Sequence, residues 1–486
     1  METKKRLSLA AALFVGLLTL AQPNQTLTNF YTVPQSTLIN PALRPEGDLH
    51  IGLPGLSSVG AYFNQTLFSL SLFSPDTDFQ QELESQVGDL TVDDYFQTSV
   101  DYDLLFVGFG LGEKGYLSLG ASYRMAQTAK LAPDMMKFLV NGNAPYIDEQ
   151  LDWSPTSTTG HHYAFYHVGY SHSLLEDKLR LGARVKLVSG LGAIQTNIDD
   201  WLVVTQATTP NPYTVQLTAG GTINAAGIPD DDLTSGDLIR FGYDFSNFGF
   251  GLDFGAQYQI NDEWSVTASV QDLGNVTWAT EAENWVITNQ TIDITGITDD
   301  LFNDEDTTSF GDKLSSYFDS IGELLNPDTT FNEFTTSLNR KINLGVQWRF
   351  HPKHEVGLQY YNEDAFGIGI QAFGLSYYGD LTNWFQVKVQ YTAYNQGFDN
   401  FGAGFALGRT FQWHFMADYL QGATNIENLN EFNFRTGFAL NFGTKDKSVD
   451  VPAESPVETP LENAPEQAPE ESPEEGGGGG LVYYFD

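Results

Sequence analysis

The chain has 486 residues with 62 acids and 23 bases, a formal net charge of -39 and no cysteine. This charge excludes a phosphate-binding surface, so nucleic acid is not an expected partner. The missing cysteines exclude disulfides, thiolate metal sites and cysteine nucleophiles. Aromatic residues make up 14% and charged residues only 17%, with 47 glycines. This composition is typical of an outer-membrane β-barrel, in which only every second residue faces lipid.

An export signal is predicted at the amino terminus. Three positions with basic side chains, 4–6, precede the apolar run 7–20, and Thr19 and Ala21 supply the small residues of a cleavage site. The apolar run is shorter than the roughly 20 residues that a membrane helix needs. Residues 1–21 are therefore predicted to be a signal peptide that is removed from the mature chain.

Alternating segments dominate the chain from about residue 99. In the clearest one, mostly apolar residues at even positions from Phe432 to Phe442 alternate with polar or small residues at odd positions. A period of two between unlike faces indicates a strand with lipid on one side and a polar lumen on the other. The pattern predicts 14 strands, and residues 48–56 could form a further one. The predicted strands are 58–73, 99–111, 115–127, 161–174, 180–201, 245–260, 263–278, 339–350, 354–362, 369–379, 382–394, 397–407, 408–420 and 431–443.

Tight turns alternate with long connections along this series. Bacterial barrels have short periplasmic turns and long external loops. The even strand count therefore predicts that both termini are periplasmic. The predicted fold class is all-β, a transmembrane antiparallel β-barrel over residues 48–444 in the outer membrane of a Gram-negative bacterium. The tight turns are 112–115, 175–178, 261–263, 351–353 and 379–380.

Two long connections contain helical patterns. Apolar residues between Leu314 and Leu325 share one face at a spacing of 3.6, and Met135, Met136 and Leu139 follow Pro133. Two interpretations stay open for these inserts. They are helices that pack on the barrel rim, or they form a lid or a partner-docking surface.

The carboxyl-terminal tail differs from the rest. Residues 445–480 are rich in Pro, Glu and Gly, so we expect a disordered linker. The apolar end peptide 481–486 either adds to the sheet edge of a partner or is an unstructured end. The candidates for partner docking are Leu481, Val482, Tyr483, Tyr484 and Phe485.

Several motifs together resemble a Bacteroidota outer-membrane family known mainly as a domain of unknown function. They span most of residues 30–443, and their order and spacing carry the resemblance. The Asn-Pro-Ala motif is also similar to that of FadL-type fatty-acid-transporter barrels and related secretion-associated barrels. The motifs are Pro34-Gln35, Asn40-Pro41-Ala42, Gly52-Leu53-Pro54-Gly55-Leu56, Pro133-Asp134 with Asn141-Gly142-Asn143, and Asp272-Leu273-Gly274-Asn275-Val276-Thr277-Trp278.

The resemblance implies a barrel of 14 strands with an N-terminal segment folded into the lumen. Residues 22–47 would form this plug, with Asn40, Pro41 and Ala42 as its motif. Alternation places eight bases and five acids on the lumen face. They form either a salt-bridged lattice or a path for an anionic or amphipathic solute. These lumen-facing candidates are Arg124, Arg180, Arg184, Lys186, Lys341, Arg349, Lys388, Arg435, Asp101, Asp103, Asp253, Glu355 and Asp418.

No motif of a catalytic or cofactor site is convincing, and no cofactor or metal is expected. The string Gly110 to Gly115 matches a dinucleotide fingerprint, but a strand follows it instead of a helix. Four histidines lie between His161 and His172, too far apart for one metal site on a strand. Acid clusters at 230–237 and 304–306 lack the spacing of a calcium loop, although weak divalent cation binding stays open.

We therefore expect a non-enzymatic scaffold or accessory component of a cell-envelope complex. The alternative is a FadL-like channel for hydrophobic or anionic solutes, and a weaker alternative is an outer-membrane hydrolase. The expected partners are outer-membrane lipid and lipopolysaccharide. Other envelope proteins could bind through the outer loops or the tail.

Overall fold

The computed structural model describes residues 25–73, 77–207, 213–227, 244–294, 320–394, 397–420 and 431–444. The predicted signal peptide, linker and end peptide, including the docking candidates 481–485, lie outside these residues. The two acid clusters of the long loops also lie outside them.

Within the described residues, 20 strands belong to one sheet, accompanied by two α-helices, three short 3-10 helices and a helical segment at 320–325. This segment agrees with the helix predicted between Leu314 and Leu325, whose first part lies outside the described residues. The strands are β1 (Leu49–Gly52), β2 (Ser58–Gln65), β3 (Phe96–Leu111), β4 (Gly115–Lys130), β5 (Gln150–Asp152), β6 (Ser157–Leu174), β7 (Leu179–Gln206), β8 (Thr214–Ala226), β9 (Phe248–Gln259), β10 (Trp264–Trp278), β11 (Ala282–Ile294), β12 (Asp328–Thr330), β13 (Phe334–Ser337), β14 (Lys341–His351), β15 (His354–Ala365), β16 (Ile368–Thr382), β17 (Phe385–Tyr394), β18 (Gly397–Leu407), β19 (Phe411–Asp418) and β20 (Glu431–Phe442). The helices are α1 (Phe79–Asp89), α2 (Pro133–Asn141) and the 3-10 helices Pro34–Leu38, Leu70–Phe73 and Ala144–Tyr146.

Fourteen strand positions close into an antiparallel barrel. β1 and β2 share one position between β20 and β3. From β3 the ladder continues through β4, β6, β7, β9, β10, β14 and β15 to β20. β13 extends the position of β14 along β10. The predicted count of 14 is confirmed, and closure leaves the wall without a free edge.

The first barrel position differs from the prediction of one strand over 58–73. It is interrupted at residues 53–57, and β2 ends at Gln65. Gly52 and Ser58 are six residues apart, but their partners on β3, Phe106 and Asp103, are only three residues apart. The extra residues therefore form a bulge. Leu56 in this bulge is 58% exposed on the outside of the wall. The Gly52–Leu56 motif is therefore a break in the strand.

The wall has an apolar outer face and a polar inner face. On β7, Leu181, Val185 and Leu187 are exposed, whereas Arg184 and Lys186 are buried between them. This alternation is that of a barrel whose outside meets lipid and whose inside is polar. Among the described residues, no helix is long and apolar enough to cross a membrane.

The two ends of the barrel differ in their connections. Tight turns at 112–114, 175–178, 260–263, 352–353, 383–384 and 408–410 lie at one end, here called the turn end. The turn predicted at 379–380 is wrong, because β16 continues to Thr382 and pairs there with β17. Leu49 pairs with Phe442 at this end, so the barrel begins and finishes there. The opposite end, the loop end, carries the long connections.

The long connections contain a folded layer that the alternation of apolar and polar residues did not predict. The last half of β7 extends beyond the barrel and pairs with β8, which pairs with β11. These strands enclose a cluster of 20 buried apolar residues with α1 and α2. The helix predicted after Pro133 is confirmed as α2, and Met135 and Met136 are buried in this cluster. Its apolar face is therefore covered and not available to a partner. We call this part the loop-end layer.

Candidate functional site

The segment 25–47, here called the plug segment, lies inside the barrel. Side chains on strands from different sides of the wall donate to its backbone carbonyls. Lys388 on β17 binds Thr28, and Gln412 on β19 donates to Thr32 O at 2.9 Å. On the other side, Arg184 on β7 donates to Leu38 O at 3.1 Å and Ser269 on β10 to Ile39 O at 2.9 Å. Apolar residues of the plug, among them Phe30, pack in a small cluster with Tyr378. The segment is held across the full width of the lumen.

The Asn-Pro-Ala motif lies directly against the wall. Asn40 Nδ2 donates to the carbonyls of Ala256 on β9 and Ala268 on β10, at 3.4 and 3.3 Å. Its Oδ1 accepts from Ala42 N at 2.9 Å, which closes a local turn. A Cβ on Gly182 of β7 would lie 2.3 Å from Pro41 O. The wall therefore needs glycine there to admit the plug backbone.

Eight charges, seven of them buried and Arg124 partly buried, form one continuous ion-pair network beside the plug. Acids and bases alternate along it, with N–O distances between 2.6 and 3.1 Å, and it includes seven of the 13 lumen-facing candidates. It runs from β3, β20 and β4 to β10, β7 and β9, and so crosses the lumen. In order, its members are Asp103, Arg435, Asp101, Arg124, Asp272, Lys186, Asp253 and Arg184.

Asp272 is the one member of the network that the alternation of apolar and polar residues did not place on the lumen face. The odd positions of β10 up to Gln271 face inward, so a regular strand would point Asp272 at lipid. A β-bulge between Val270 and Leu273 shifts the register, and Asp272 takes a φ of +59°. Its side chain therefore enters the lumen and binds both Arg124 and Lys186. The sequence did contain a signal for this bulge. The alternation assigns an acidic residue to a lipid-facing position, and aspartate is a residue type that tolerates positive φ.

The remaining six candidates lie outside the network. Arg180 is half-buried and donates to Lys114 O, and Arg349 is 42% exposed and pairs with Glu355 at 3.2 Å. Asp418 accepts from Thr26 of the plug and from Asn433 Nδ2. Lys388 holds the plug, as described above. Lys341 makes an ion pair with Glu363 at 3.9 Å.

The basic excess expected from eight bases and five acids on the lumen face stays a prediction, but the structure adds buried acids to that set. The buried acids outnumber the buried bases, nine to five. Asp272 is added by a bulge, Glu363 and Asp380 by strands that extend further than predicted, and Glu431 by burial of the first residue of β20, whereas Arg124, Arg180 and Arg349 are not fully buried. The nine acids are Asp101, Asp103, Asp253, Asp272, Glu355, Glu363, Asp380, Asp418 and Glu431, and the five bases are Arg184, Lys186, Lys341, Lys388 and Arg435.

A cavity of about 50 Å³ separates the plug from the network. Plug residues Leu27, Thr28 and Ile39 form one side, and Arg124 and Lys341 belong to the other. One water takes up roughly 10–15 Å³ by this measure, so the cavity holds only a few waters. The cavity is therefore too small for an organic solute.

The lumen becomes apolar between the network and the loop end. Phe165 on β6 lies beneath Arg124 and Lys186, with the charged groups 5.1 and 5.2 Å from its ring centre. Val188 and Trp278 pack in the same buried cluster. Trp278 is fully buried and donates to Thr336 Oγ1 at 2.9 Å. An apolar layer thus stands between the loop end and the charged layer.

The histidines do not converge. His161 and His167 are both buried, and His161 Nδ1 lies 3.4 Å from Thr336 Oγ1. His172 lies instead beside Tyr170 on the outer face. Within the described ranges, no group of three or more His, Cys, Asp or Glu residues is arranged to hold a metal ion.

Comparison with protein families identifies the chain. The model of a family of unknown function, DUF5723, matches residues 41–418. The chain belongs to this family. The matched part runs from the Asn-Pro-Ala motif to the end of β19 and so includes the whole ion-pair network except Arg435. No curated protein matches the sequence significantly.

Several solved barrels are similar in structure at low sequence identity. The toluene transporter TodX of Pseudomonas putida has a TM-score of 0.40 and 10% identity, over 85% of this chain and 95% of that chain. A FadL homologue of Pseudomonas aeruginosa has a TM-score of 0.40 and 9% identity, over 86% of this chain and 96% of that chain. The CymD monoaromatic hydrocarbon channel has a TM-score of 0.36 and 9% identity, over 88% and 98%.

Proposed function

We propose that this DUF5723 protein is a non-enzymatic, gated channel for neutral apolar solutes. The observation that carries the proposal is the plug segment, which obstructs a lumen that would otherwise be open. Barrels of eight strands are filled by their own side chains, whereas 16 strands leave an aqueous channel. A 14-stranded wall lies between these cases and is closed here by residues 25–47. The plug is held by hydrogen bonds to its carbonyls and by one small apolar cluster, contacts that can be broken without unfolding the wall.

The lumen chemistry favours a neutral solute over an anionic one. An anionic solute needs bases that are free to bind it, and the four bases of the network already pair with four acids. The layer next to the loop end is apolar, with Phe165, Val188 and Trp278. A neutral apolar solute can enter this layer without losing hydrogen bonds to water.

The proposed location is the outer membrane, with the turn end and both termini in the periplasm and the loop-end layer outside. The apolar outer face and the unequal connections support this orientation. Contacts with lipopolysaccharide, or with other envelope proteins through the loops or the tail, stay predictions.

Reconstitution tests the channel. The full chain is placed in planar bilayers and in liposomes, beside the double variant Lys388→Met/Gln412→Leu, which loses two bonds to plug carbonyls. We expect low ion conductance for the native chain and a large increase for the variant. The native chain should also speed the entry of radiolabelled toluene, but not that of benzoate, into liposomes whose outer leaflet is lipopolysaccharide, since that leaflet slows unaided entry. Lys114→Met, at an exposed turn, is the matched control and should behave like the native chain.

Two results would contradict the channel proposal. The first is toluene entry no faster than in protein-free liposomes. The second is a folded double variant that conducts no better than the control, because the plug would then be a permanent filling.

A second candidate function, an envelope scaffold, is favoured by the loop-end layer. Its 20-residue apolar cluster forms a folded unit beyond the barrel wall. The outer surface of such a folded unit, whose apolar core is buried, suits a binding platform. Purification from outer membranes at native expression, with and without residues 481–486, tests this role. Loss of co-purifying partners on deletion of the end peptide would support the scaffold role. An unchanged set of co-purifying proteins would show that the tail binds none of them.

A further inference from the structure

The small cavity between the plug and the network has an unbalanced lining. Five bases and two acids line it. The other two acids of the network, Asp253 and Asp272, are fully buried behind these bases and do not reach the cavity. The network is neutral as a whole, but its positive groups face the cavity. The lining charges are Arg124, Arg184, Lys186, Lys341, Arg435, Asp101 and Asp103.

Lys341 has the longest ion pair of these bases, and the more distant carboxylates of Asp101 and Asp272 also attract it. Its side chain is 9% exposed, and in the described part of the chain its ammonium makes one ion pair, 3.9 Å from Glu363. The network bases, by contrast, lie 2.6–3.1 Å from their carboxylates. A desolvated ammonium costs several kcal/mol unless charges or hydrogen bonds replace its hydration. A negative charge in the cavity would provide this compensation.

We propose that the cavity binds a small monovalent inorganic anion of the halide class. Its volume of about 50 Å³ admits one halide with one or two waters, but not an organic carboxylate. The amide side chains of Gln271 and Asn343 also line the cavity and add donors. The anion would contact Lys341, which is outside the network, and residues Leu27, Thr28 and Ile39 of the plug, so the site exists only while the plug is in place. The proposal does not depend on solute transport.

Crystals of the full chain grown in sodium bromide test the site directly. We expect an anomalous bromide peak within the cavity, in contact with Lys341. Waters alone in the cavity, with bromide found only at exposed bases, would overturn the proposal.

Thermal unfolding gives an independent test. The Tm of the native chain should rise with the logarithm of bromide concentration at constant ionic strength, balanced with gluconate, because the anion binds only the folded state. The variant Lys341→Met should lose this dependence, and the control Lys114→Met should keep it. A native Tm that is equal in bromide and gluconate, or a folded Lys341→Met variant that responds like the native chain, would contradict the site. If Lys341→Met does not fold, the crystal experiment decides.

Discussion

Arg124 on β4 and Asp272 on β10 meet inside the barrel, with Nη1 and Oδ2 2.8 Å apart. Three strand positions, β6, β7 and β9, separate them along the wall, so their ion pair spans the lumen. It connects the part of the network on β3 and β20 with the part on β7 and β9. A single contact between residues 148 positions apart thus joins two sides of the wall.

Removing the charge of Asp272 should destabilise the barrel. Asp272→Asn keeps the shape and tolerates the positive φ, but it leaves Arg124 and Lys186 with one carboxylate each. Breaking a buried ion pair by removing one partner costs about 3–5 kcal/mol. We expect a clear fall in the denaturant midpoint of the folded barrel. Asp199→Asn, at an exposed site of the loop-end layer, should leave the midpoint unchanged. Equal midpoints for both variants would show that the network does not stabilise the wall.

A side chain at Gly182 should displace the plug without preventing barrel formation. Gly182→Ala places a methyl group against the carbonyl of Pro41, a backbone atom that cannot rotate away. We expect higher ion conductance in planar bilayers and faster proteolysis of the plug segment. Gly369→Ala on β16 is the matched control, because a Cβ there meets nothing within 4 Å. Conductance equal to that of the control would show that a methyl group at residue 182 fits beside Pro41 without displacing the plug.

Truncating Phe165 should weaken the charged layer from its apolar side. Phe165→Leu keeps most of the buried apolar area but removes the ring beneath Arg124 and Lys186. Each buried cation–π contact contributes about 1–2 kcal/mol. The free energy of unfolding should therefore fall by about 2–3 kcal/mol. Phe401→Leu, on the lipid-facing side of β18, should change it by much less. A loss of similar size in both variants would mean that only the removed area matters.

The loop-end layer should unfold separately from the barrel. Trp153 is fully buried in its apolar cluster and packs edge-to-face on Phe138. Trp153→Ala should cost about 3–5 kcal/mol within this layer. We expect new protease cleavage sites between residues 131 and 156 on intact cells, while the heat-modifiable migration of the barrel is retained. Loss of the folded barrel in this variant would show that layer and wall form one cooperative unit.

The wall could be predicted from the sequence because a barrel strand in lipid has a period of two over its whole length. The alternation at 180–187 and 432–442 carries this signal, and the 14 strand positions followed from it. The loop-end layer escaped because β8 and β11 are covered by other protein instead of lipid, so their alternation is weaker. The breaks at 53–57 and at Asp272 escaped because a bulge reverses the phase of the alternation.

The sequence by itself determined the all-β class, the number of barrel positions and most of the division of side chains between lipid and lumen, because these depend on local periodicity. Only the tertiary structure decided which charges meet. Asp272, Arg124 and Lys186 are distant in sequence, and closure of the barrel together with one bulge brings them within ion-pair distance. The net charge of -39 therefore gave no information about the charge inside the lumen. There the ion-pair network is neutral as a whole, and its basic groups line a small cavity.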